Sequence, residues 1–336
     1  MVPLSRRAFF ATSLFALDKP QLAPAEKLLS GAVASGKLRA AVLRVERGAF
    51  QYEQSFGAAK TTTPFLIASI SKPMTATAVM TLVDRGLLKL DEPASKHLPG
   101  LDPRITLRHL LSHSSGLPDM LPNNIALRER HAPLSDFAKA ALKTPLLFAP
   151  GTKVSYQSMG ILLAATMAER ITKQPFPQFL EQQVFAPLGM KDSVLGLGKR
   201  LKIADTAQCQ VEFADPKGGN DWDWNSDYWR NLAAPWGGVH STAADVTKLL
   251  RYFMKPAGKP LTPASAATMV QNQNAGLNQP YGIGWALPPN RFGHGGSTGT
   301  QCWADAATGT TFVLLTTLPA RVSQKAIIDP VSQMVA

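Results

Sequence analysis

The sequence has few cysteines, little charge and no long apolar run, and each shortage excludes a class of protein. Its two cysteines, Cys209 and Cys302, lie far apart, and neither belongs to a Cys-x-x-Cys or Cys/His spacing. No disulfide framework or zinc site is therefore predicted, and we expect two packed free thiols. Charged residues make up only 17%. No run of about 18 apolar residues occurs, so no integral membrane segment is predicted.

The charge that is present is mostly positive. Of the 336 residues, 35 are Lys or Arg and 23 are Asp or Glu, which gives a formal net charge of +12. An anionic partner would suit that charge. However, the basic residues are scattered and form no nucleic-acid-binding motif. We therefore predict a solvated basic surface and no nucleic-acid partner. With 45% hydrophobic residues, the chain can bury a large core in one or two domains.

The N-terminus has the features of an export signal. "SRRAFF", residues 5–10, resembles the twin-arginine signal, and a charge-free stretch follows over residues 8–17. Ala23-Pro24-Ala25 is a small-x-small pattern that could be cleaved. We expect residues 1–25 to be an export signal of a periplasmic or secreted protein; the alternative is a cytoplasmic protein with an N-terminal helix.

Strands are predicted near both ends of the chain and helices in its middle. Turn signals at Arg47-Gly48 and Ala307-Thr308-Gly309 predict two pairs of strands, over residues 40–45 and 49–56 and over residues 301–305 and 311–317. Helical spacing and breakers predict helices over residues 74–88, 107–113, 243–254 and 322–335 and over most of 134–185. Pro330 disagrees with the last of these helices. We expect an α/β (α+β) fold in which both chain ends build one sheet and a helical region is inserted between them.

A candidate nucleophile lies in "SISK". Ser69 and Lys72 are three residues apart, so on a helix they share a face. Pro73 requires that helix to begin within about a turn of Ser69. Free backbone N–H groups and the helix dipole would then favour negative charge at Ser69. Lys72 could act as a base only as a neutral amine, which requires burial. One chance S-x-x-K is expected in a chain of about this length, so the motif alone is weak evidence.

Two other patterns are weaker candidates. "GGSTG" matches the G-x-S-x-G elbow of α/β-hydrolases, but no histidine follows Ser297, and the segment precedes a strand. Ser297 is therefore rejected as the nucleophile. His109 and His113 have the i, i+4 spacing of a zinc site, but neither a following glutamate nor a third ligand is evident. We favour a structural role for both, with hydrogen bonds near the helix end.

Six segments, in order, resemble one family. They are "FLIASISKPMTATAVMTLVDRGLLKLDEPASKHLPG", "ITLRHLLSHSSGLP", "FAPGTKVSYQSMGILLA", "GGVHSTAADV", "YGIGW" and "FGHGGSTG". Together they span residues 65–299 and are similar to the serine β-lactamases and penicillin-recognising enzymes. The most similar branch holds class C β-lactamases, D-Ala-D-Ala carboxypeptidases and family VIII esterases.

The resemblance implies a fold and a division of the chain. It implies a single β-lactamase-like domain over residues 26–336, with an antiparallel sheet flanked by helices. The sheet-bearing part would comprise about 26–68 and 236–336, and the helical part about 69–235. The active site would lie at their boundary.

The resemblance also assigns roles to residues. It makes Ser69 the nucleophile that becomes acylated and Lys72 its amine neighbour. Tyr156 would relay protons, first as a general base and then as a general acid. The backbone N–H groups of Ser69 and Ser297 would form the oxyanion hole. Substrate would be bound by Ser158, His294, Gly295 and Gly296, and neither a metal nor an organic cofactor is implied.

Two departures from the family pattern favour ester substrates. Ser158 replaces the asparagine of Y-x-N, which in lactam-cleaving relatives helps to hold the substrate amide. A serine is shorter and lacks the paired donor and acceptor. His294 replaces the lysine of K-T-G, and a histidine of ordinary pKa would supply positive charge only in mild acid. We therefore expect mainly carboxylesterase activity, and β-lactamase or D-amino-acid peptidase or amidase activity stays open as a lesser activity of the same site.

The remaining expectations concern partners. The substrate would be a small ester, lactam or peptide-like molecule, and no oligomeric state is predicted. The alternative function is a protein of the same fold that binds penicillin or a cell-wall fragment without turnover. Four tryptophans, Trp222, Trp224, Trp229 and Trp236, lie close together in the sequence. They predict either loop packing, which we favour slightly, or an aromatic wall for an acyl group.

Overall fold

The structure is a computed structural model that describes residues 19–197, 210–212 and 219–336. Cys209 and the twin-arginine-like stretch lie outside these ranges. Cys302 is buried and is a free thiol, and burial raises its pKa to about 12. Within the described ranges, no helix has both the length and the apolar character that crossing a bilayer requires.

Both ends of the chain contribute to the main sheet, as predicted. Its five strands are all antiparallel and lie in the order β2-β1-β8-β7-β6. The two central neighbours, β1 and β8, are buried along almost their whole length, which explains their near-continuous apolar sequences. The strands are β1 (Ala40–Arg47), β2 (Phe50–Gly57), β6 (Phe292–Gly296), β7 (Thr300–Asp305) and β8 (Thr310–Thr316).

A second, three-stranded sheet is built from three segments that lie far apart in the sequence. It contains β3 (Phe65–Leu66), β4 (Val194–Leu195) and β5 (Val239–Ser241) in the order β3-β5-β4. The backbone N–H of Ile67 continues the pairing by donating to the carbonyl of Val239 at 3.0 Å. This sheet fixes the residues that lead into the SISK segment.

Helices cover both faces of the main sheet and fill the middle of the chain. The α-helices are α1 (Lys19–Ala34), α2 (Ser71–Asp84), α3 (Leu107–Leu111), α4 (Asn124–Glu129), α5 (Leu134–Lys143), α6 (Met159–Thr172), α7 (Phe176–Leu180), α8 (Ala186–Leu188), α9 (Asp227–Leu232), α10 (Ala243–Met254), α11 (Pro263–Met269), α12 (Ala320–Ser323) and α13 (Asp329–Val335). Single 3₁₀ turns span Ala68–Ile70 and Ala94–Lys96, and π-helical turns span Glu181–Phe185 and Gln324–Ile328.

Helices from the two chain ends pack together on one face of the main sheet. Leu22 and Ala25 of α1 are fully buried in the same apolar cluster as Phe312 of β8 and Val331 of α13. Ala23-Pro24-Ala25, the predicted cleavage pattern, therefore lies inside a packed helix. Ala25 is buried in the core, whereas Ala23 and Pro24 are exposed on the outer side of the helix.

Pro330 is accommodated at the beginning of a helix. It occupies the first turn of α13, where a missing N–H leaves no helical hydrogen bond unmade. The π-helical turn before it connects α12 to α13. The predicted closing helix therefore forms in three consecutive pieces.

Candidate active site

Ser69 lies in a short 3₁₀ turn immediately before α2. The preceding residue, Ala68, has φ +45°, a left-handed conformation that is unfavourable for alanine. Ser71 holds this turn: its Oγ donates to the Ala68 carbonyl at 2.6 Å and accepts from the Val239 N–H at 3.1 Å. The turn places the half-buried Ser69 at the beginning of α2, as Pro73 predicted.

Lys72 is completely buried beside Ser69. Its Nζ lies 2.9 Å from Ser69 Oγ and donates to the Trp236 carbonyl at 3.1 Å. Helix α2 is buried on nearly all sides, so the amine has no access to bulk water. Burial lowers the pKa of Lys72 to about 7, although the negative charge of Asp119 partly opposes this effect. A large fraction of the amine is therefore neutral at pH 7 and can accept the Ser69 proton.

Tyr156 is in contact with the same two groups. Lys72 Nζ is 4.6 Å from the centroid of its ring, and its hydroxyl is hydrogen-bonded to Ser69. Burial of the phenol and the charge of Asp119 raise the pKa of Tyr156 above its ordinary value of 10. The phenol is therefore protonated at neutral pH. A protonated phenol is suited to donate a proton rather than to accept one, which disagrees with the sequence-based expectation that Tyr156 acts first as the base.

The turn after β6 brings Ser297 to Ser69. Two threonines fasten this turn to the segment before the nucleophile: Thr298 Oγ1 donates to Leu66 O at 2.6 Å, and Thr300 Oγ1 donates to Ile67 O at 3.0 Å. Ser297 and Ser69 line one cleft. Their placement is consistent with two backbone donors around a single oxyanion, the role that the resemblance implies.

Gly296 makes this close approach possible. A Cβ on this residue would lie 2.4 Å from the Ile67 carbonyl and 2.2 Å from Thr300 Oγ1. A Cβ on Gly295 would meet only the Thr300 carbonyl, at 3.9 Å. Gly296 is therefore required by backbone packing, whereas Gly295 is exposed on the outer face of the edge strand.

His294 does not behave as the sequence suggested. Its side chain is buried, its Nδ1 lies 2.7 Å from the Gly295 carbonyl, and its Nε2 lies 2.8 Å from the Tyr281 hydroxyl. Burial and the proximity of Lys72 lower its pKa to about 3. The expectation that His294 is positively charged in mild acid is therefore wrong, because the imidazole is neutral there. In the neutral ring, Nδ1 donates to the Gly295 carbonyl and Nε2 accepts from the Tyr281 hydroxyl.

Ser158 is bound by a carboxylate that sequence reasoning missed. Its Oγ donates to Asp119 Oδ1 at 2.6 Å, and its backbone N–H donates to the Asp119 carbonyl at 3.2 Å. Asp119 is exposed, directly after "SGLP", one of the segments that carried the resemblance. The position of Asp119 next to that motif was the signal by which the sequence could have indicated it as a site residue. Asp119 places a negative charge at the site.

A cleft of about 260 Å³ opens beside the nucleophile. Its lining includes Ser69, Tyr156 and Ser158 together with three of the four clustered tryptophans, Trp224, Trp229 and Trp236. The other lining residues are Ala68, Asp119, Met120, Asn124, Arg128, Gly237 and Ser297. An aromatic wall therefore exists.

The tryptophans also serve packing. Trp229 and Trp236 are nearly buried, with ring centroids 6.2 Å apart. Arg128 lies between the rings of Trp222 and Trp229, at 5.0 and 4.4 Å from their centroids, and donates to the Trp222 carbonyl at 2.9 Å. Packing and wall are thus compatible roles of the same cluster.

His109 has a structural role, as predicted. Its Nδ1 accepts from the Thr106 N–H at 3.3 Å, and the two residues form a capping box at the beginning of α3. Among the residues that the structure describes, no three His, Cys, Asp or Glu side chains are grouped so that they could bind a metal ion.

Comparison with known sequences identifies the family. The family model described as Beta-lactamase matches residues 25–329. Penicillin-binding protein 4 of Amycolatopsis lactamdurans is 30% identical over 268 residues, which are 73% of this chain and 68% of that protein. Esterase EstB of Burkholderia gladioli is 32% identical over 207 residues, 53% of each chain. The chain thus spans about two thirds of the first relative's length and about half of the second's.

Comparison with solved structures confirms the fold. EstCE1, described as a hydrolase with promiscuous acyltransferase activity, aligns with a TM-score of 0.76 at 20% identity, over 94% of this chain and 99% of that one. A D-amino acid amidase from Ochrobactrum anthropi SV3 aligns with a TM-score of 0.75 at 24% identity, over 93% and 98%.

Proposed function

This chain belongs to the beta-lactamase family of serine hydrolases, and from that premise we propose that it is a carboxylesterase that works through an acyl-enzyme on Ser69. The observation that carries the proposal is the buried amine of Lys72, 2.9 Å from Ser69 Oγ, with its pKa lowered to about 7. A serine becomes a nucleophile when such a base is in contact with it.

The first half of the reaction forms the acyl-enzyme. Neutral Lys72 accepts the proton of Ser69 while Oγ attacks the carbonyl carbon of the ester. The resulting oxyanion is stabilised by the backbone N–H groups of Ser69 and Ser297, where one donor is typically worth about 3 kcal/mol. When the C–O bond breaks, Tyr156 protonates the leaving alkoxide, and its own proton is replaced from the Lys72 ammonium. The second half repeats these transfers with water as the nucleophile.

The preference for esters over penicillins rests on two contacts. His294 is neutral and turned to Tyr281, so the position of the family's lysine offers no cation to a substrate carboxylate. Ser158 donates to Asp119 and is shorter than the asparagine of relatives. A substrate with a carboxylate on its leaving side therefore loses a charge partner. The similarity to esterase EstB supports the same class.

Initial rates on 4-nitrophenyl butyrate and a chromogenic cephalosporin, measured side by side, test the proposal. We expect ester cleavage with a kcat/KM at least about tenfold above that for the cephalosporin, because a charged hydrogen bond is worth that much or more. Ser69→Ala should abolish both activities. Equal or faster cephalosporin turnover would reject the ester preference. Stoichiometric acylation without turnover would instead support a binding protein of the same fold.

A further inference from the structure

Asp119 places a carboxylate in the cleft, and no step of the proposed reaction uses it. One of its oxygens accepts from Ser158. Among the residues that the structure describes, no ion pair neutralises this carboxylate. The side chain is exposed, whereas its partner Ser158 is buried. An oriented carboxylate with one oxygen that no described residue hydrogen-bonds, and with no ion-pair partner among the described residues, is suited to bind a positive group of a ligand.

The remainder of the cleft is suited to an organic cation. Tyr156 and three tryptophans line it together with Asp119. Aromatic faces attract ammonium groups, and more strongly in desolvated sites. The other charged residue in the lining, Arg128, is held between two indole rings and bonded to a backbone carbonyl. Arg128 is thus engaged with the tryptophan cluster, and Asp119 retains its negative charge for a ligand.

The position of Asp119 indicates which part of the substrate carries the cation. The acyl group is the part of the substrate that becomes bonded to Ser69, and Ser69, Ser158 and Asp119 line the same cleft. The field of Asp119 reaches the catalytic groups, because its charge raises the pKa values of Lys72 and Tyr156. A cation bound by Asp119 would therefore lie near the reacting carbonyl.

We propose that Asp119 binds a protonated amine on the acyl part of the substrate, so that the enzyme acts on amino-acyl esters or amides. This inference rests on the proposed serine hydrolase function and names its substrate class. It is compatible with the loss of the carboxylate partner at His294, since the two charges lie on different parts of the substrate. The chain as a whole carries a formal charge of +12 and would repel a cationic substrate. The attraction of the ammonium group is therefore due to Asp119 and acts only within the cleft.

Two matched methyl esters test the proposal. Alanine methyl ester and isobutyric methyl ester differ by an ammonium in place of a methyl group, and a pH-stat at pH 7 follows both. For each protein, the kcat/KM for the alanine ester is divided by that for the isobutyric ester. Comparing this ratio between the wild type and Asp119→Asn removes the difference in intrinsic reactivity between the two esters. Asparagine still accepts the Ser158 hydrogen bond. We expect the ratio to fall about ten- to a hundredfold, the usual effect of losing a charged hydrogen bond.

Glu129→Gln is the matched control. Glu129 is an exposed carboxylate at the end of α4, the helix that contributes Asn124 and Arg128 to the cleft. Its removal changes the net charge by the same amount but should leave the ratio at the wild-type value. A ratio that falls equally in both variants would assign the effect to general electrostatics and overturn the proposal.

A binding measurement separates this inference from the proposed function. Alaninamide and isobutyramide are titrated calorimetrically into Ser69→Ala and into the double variant with Asp119→Asn. We expect tighter binding of alaninamide to the first protein only. If neither ester is cleaved by the wild type, the proposed function fails, and the amide titration still decides the role of Asp119. Equal binding of both amides, or an equal loss of both ester activities in Asp119→Asn, would overturn the inference.

Discussion

At the scale of single residues, the chemistry depends on the burial of one lysine. An exposed lysine has a pKa near 10.4 and carries its proton at pH 7. Inside α2, where the buried amine of Lys72 lies against Ser69 Oγ, the Trp236 carbonyl and the ring of Tyr156, the pKa is about 7. Activity should therefore rise with pH through about 7 as Lys72 loses its proton. Because a buried amine is costly, the folded protein is less stable with Lys72 than it would be with an apolar side chain at the same position.

Replacing Lys72 by Met should raise stability while abolishing activity. Because the folded pKa is lower than the unfolded one, the unfolded chain binds more protons between about pH 7 and 10.5. Wild-type stability therefore increases with pH across that window. We expect Lys72→Met to be more stable at pH 7 by about 2–4 kcal/mol, with an advantage that shrinks towards pH 10.5. Urea unfolding at several pH values measures this.

An exposed lysine is the control for that experiment. Lys37→Met removes a positive charge from the surface and should show no such pH-dependent advantage. A Lys72→Met protein whose stability relative to the wild type does not change between pH 7 and 10 would show that Lys72 keeps an ordinary pKa in the folded state.

Motifs predicted which residues meet, but not how each is buried. Ser69, Lys72 and Tyr156 were expected together and are in contact. The charge state of His294 was predicted wrongly because its pKa depends on Tyr281 and on burial, neither of which the local sequence reveals. Asp119 was missed because an exposed aspartate after a proline also fits an ordinary turn.

At the scale of elements, the active site is built where two backbone segments touch. The turn between β6 and β7 packs against the residues before Ser69 through Thr298 and Thr300. Strands β3, β4 and β5 have only two or three residues each and were not predicted. They form because tertiary pairing overrides weak local preference, which a single sequence does not display. By contrast, α10 has the predicted bounds, because its apolar residues follow a clear helical period.

Gly296→Ala should disrupt this contact. The new Cβ would lie 2.4 Å from the Ile67 carbonyl, so the segment that carries Ser69 must shift. We expect a loss of stability of about 1–3 kcal/mol, typical of overpacking, together with slower ester hydrolysis. The urea midpoint and kcat/KM measure the two effects. Gly295→Ala, where the nearest atom is 3.9 Å away, should keep the wild-type midpoint, and equal destabilisation in both variants would contradict this explanation.

At the scale of the whole molecule, the residues of the candidate site come from distant parts of the chain. Ser69 and Lys72 lie at the beginning of the helical region, Tyr156 lies within it, and Ser297 follows β6 near the C-terminal end of the chain. Four of the five strands of the main sheet were predicted, because turn signals separate them at both chain ends, whereas the glycine-rich strand β6 was not predicted. The core packing of α1 was not, because a short apolar stretch near two arginines also fits an export signal. Export of the protein stays a prediction.

The central claim is that Ser69, activated by Lys72, is the nucleophile. The most direct test is labelling with a serine-directed fluorophosphonate, followed by peptide mapping in a mass spectrometer. We expect one label per chain, on the peptide that contains Ser69, with labelling lost in Ser69→Ala and slowed at least about a hundredfold in Lys72→Met. A label on Ser297, or undiminished labelling in Ser69→Ala, would contradict the account.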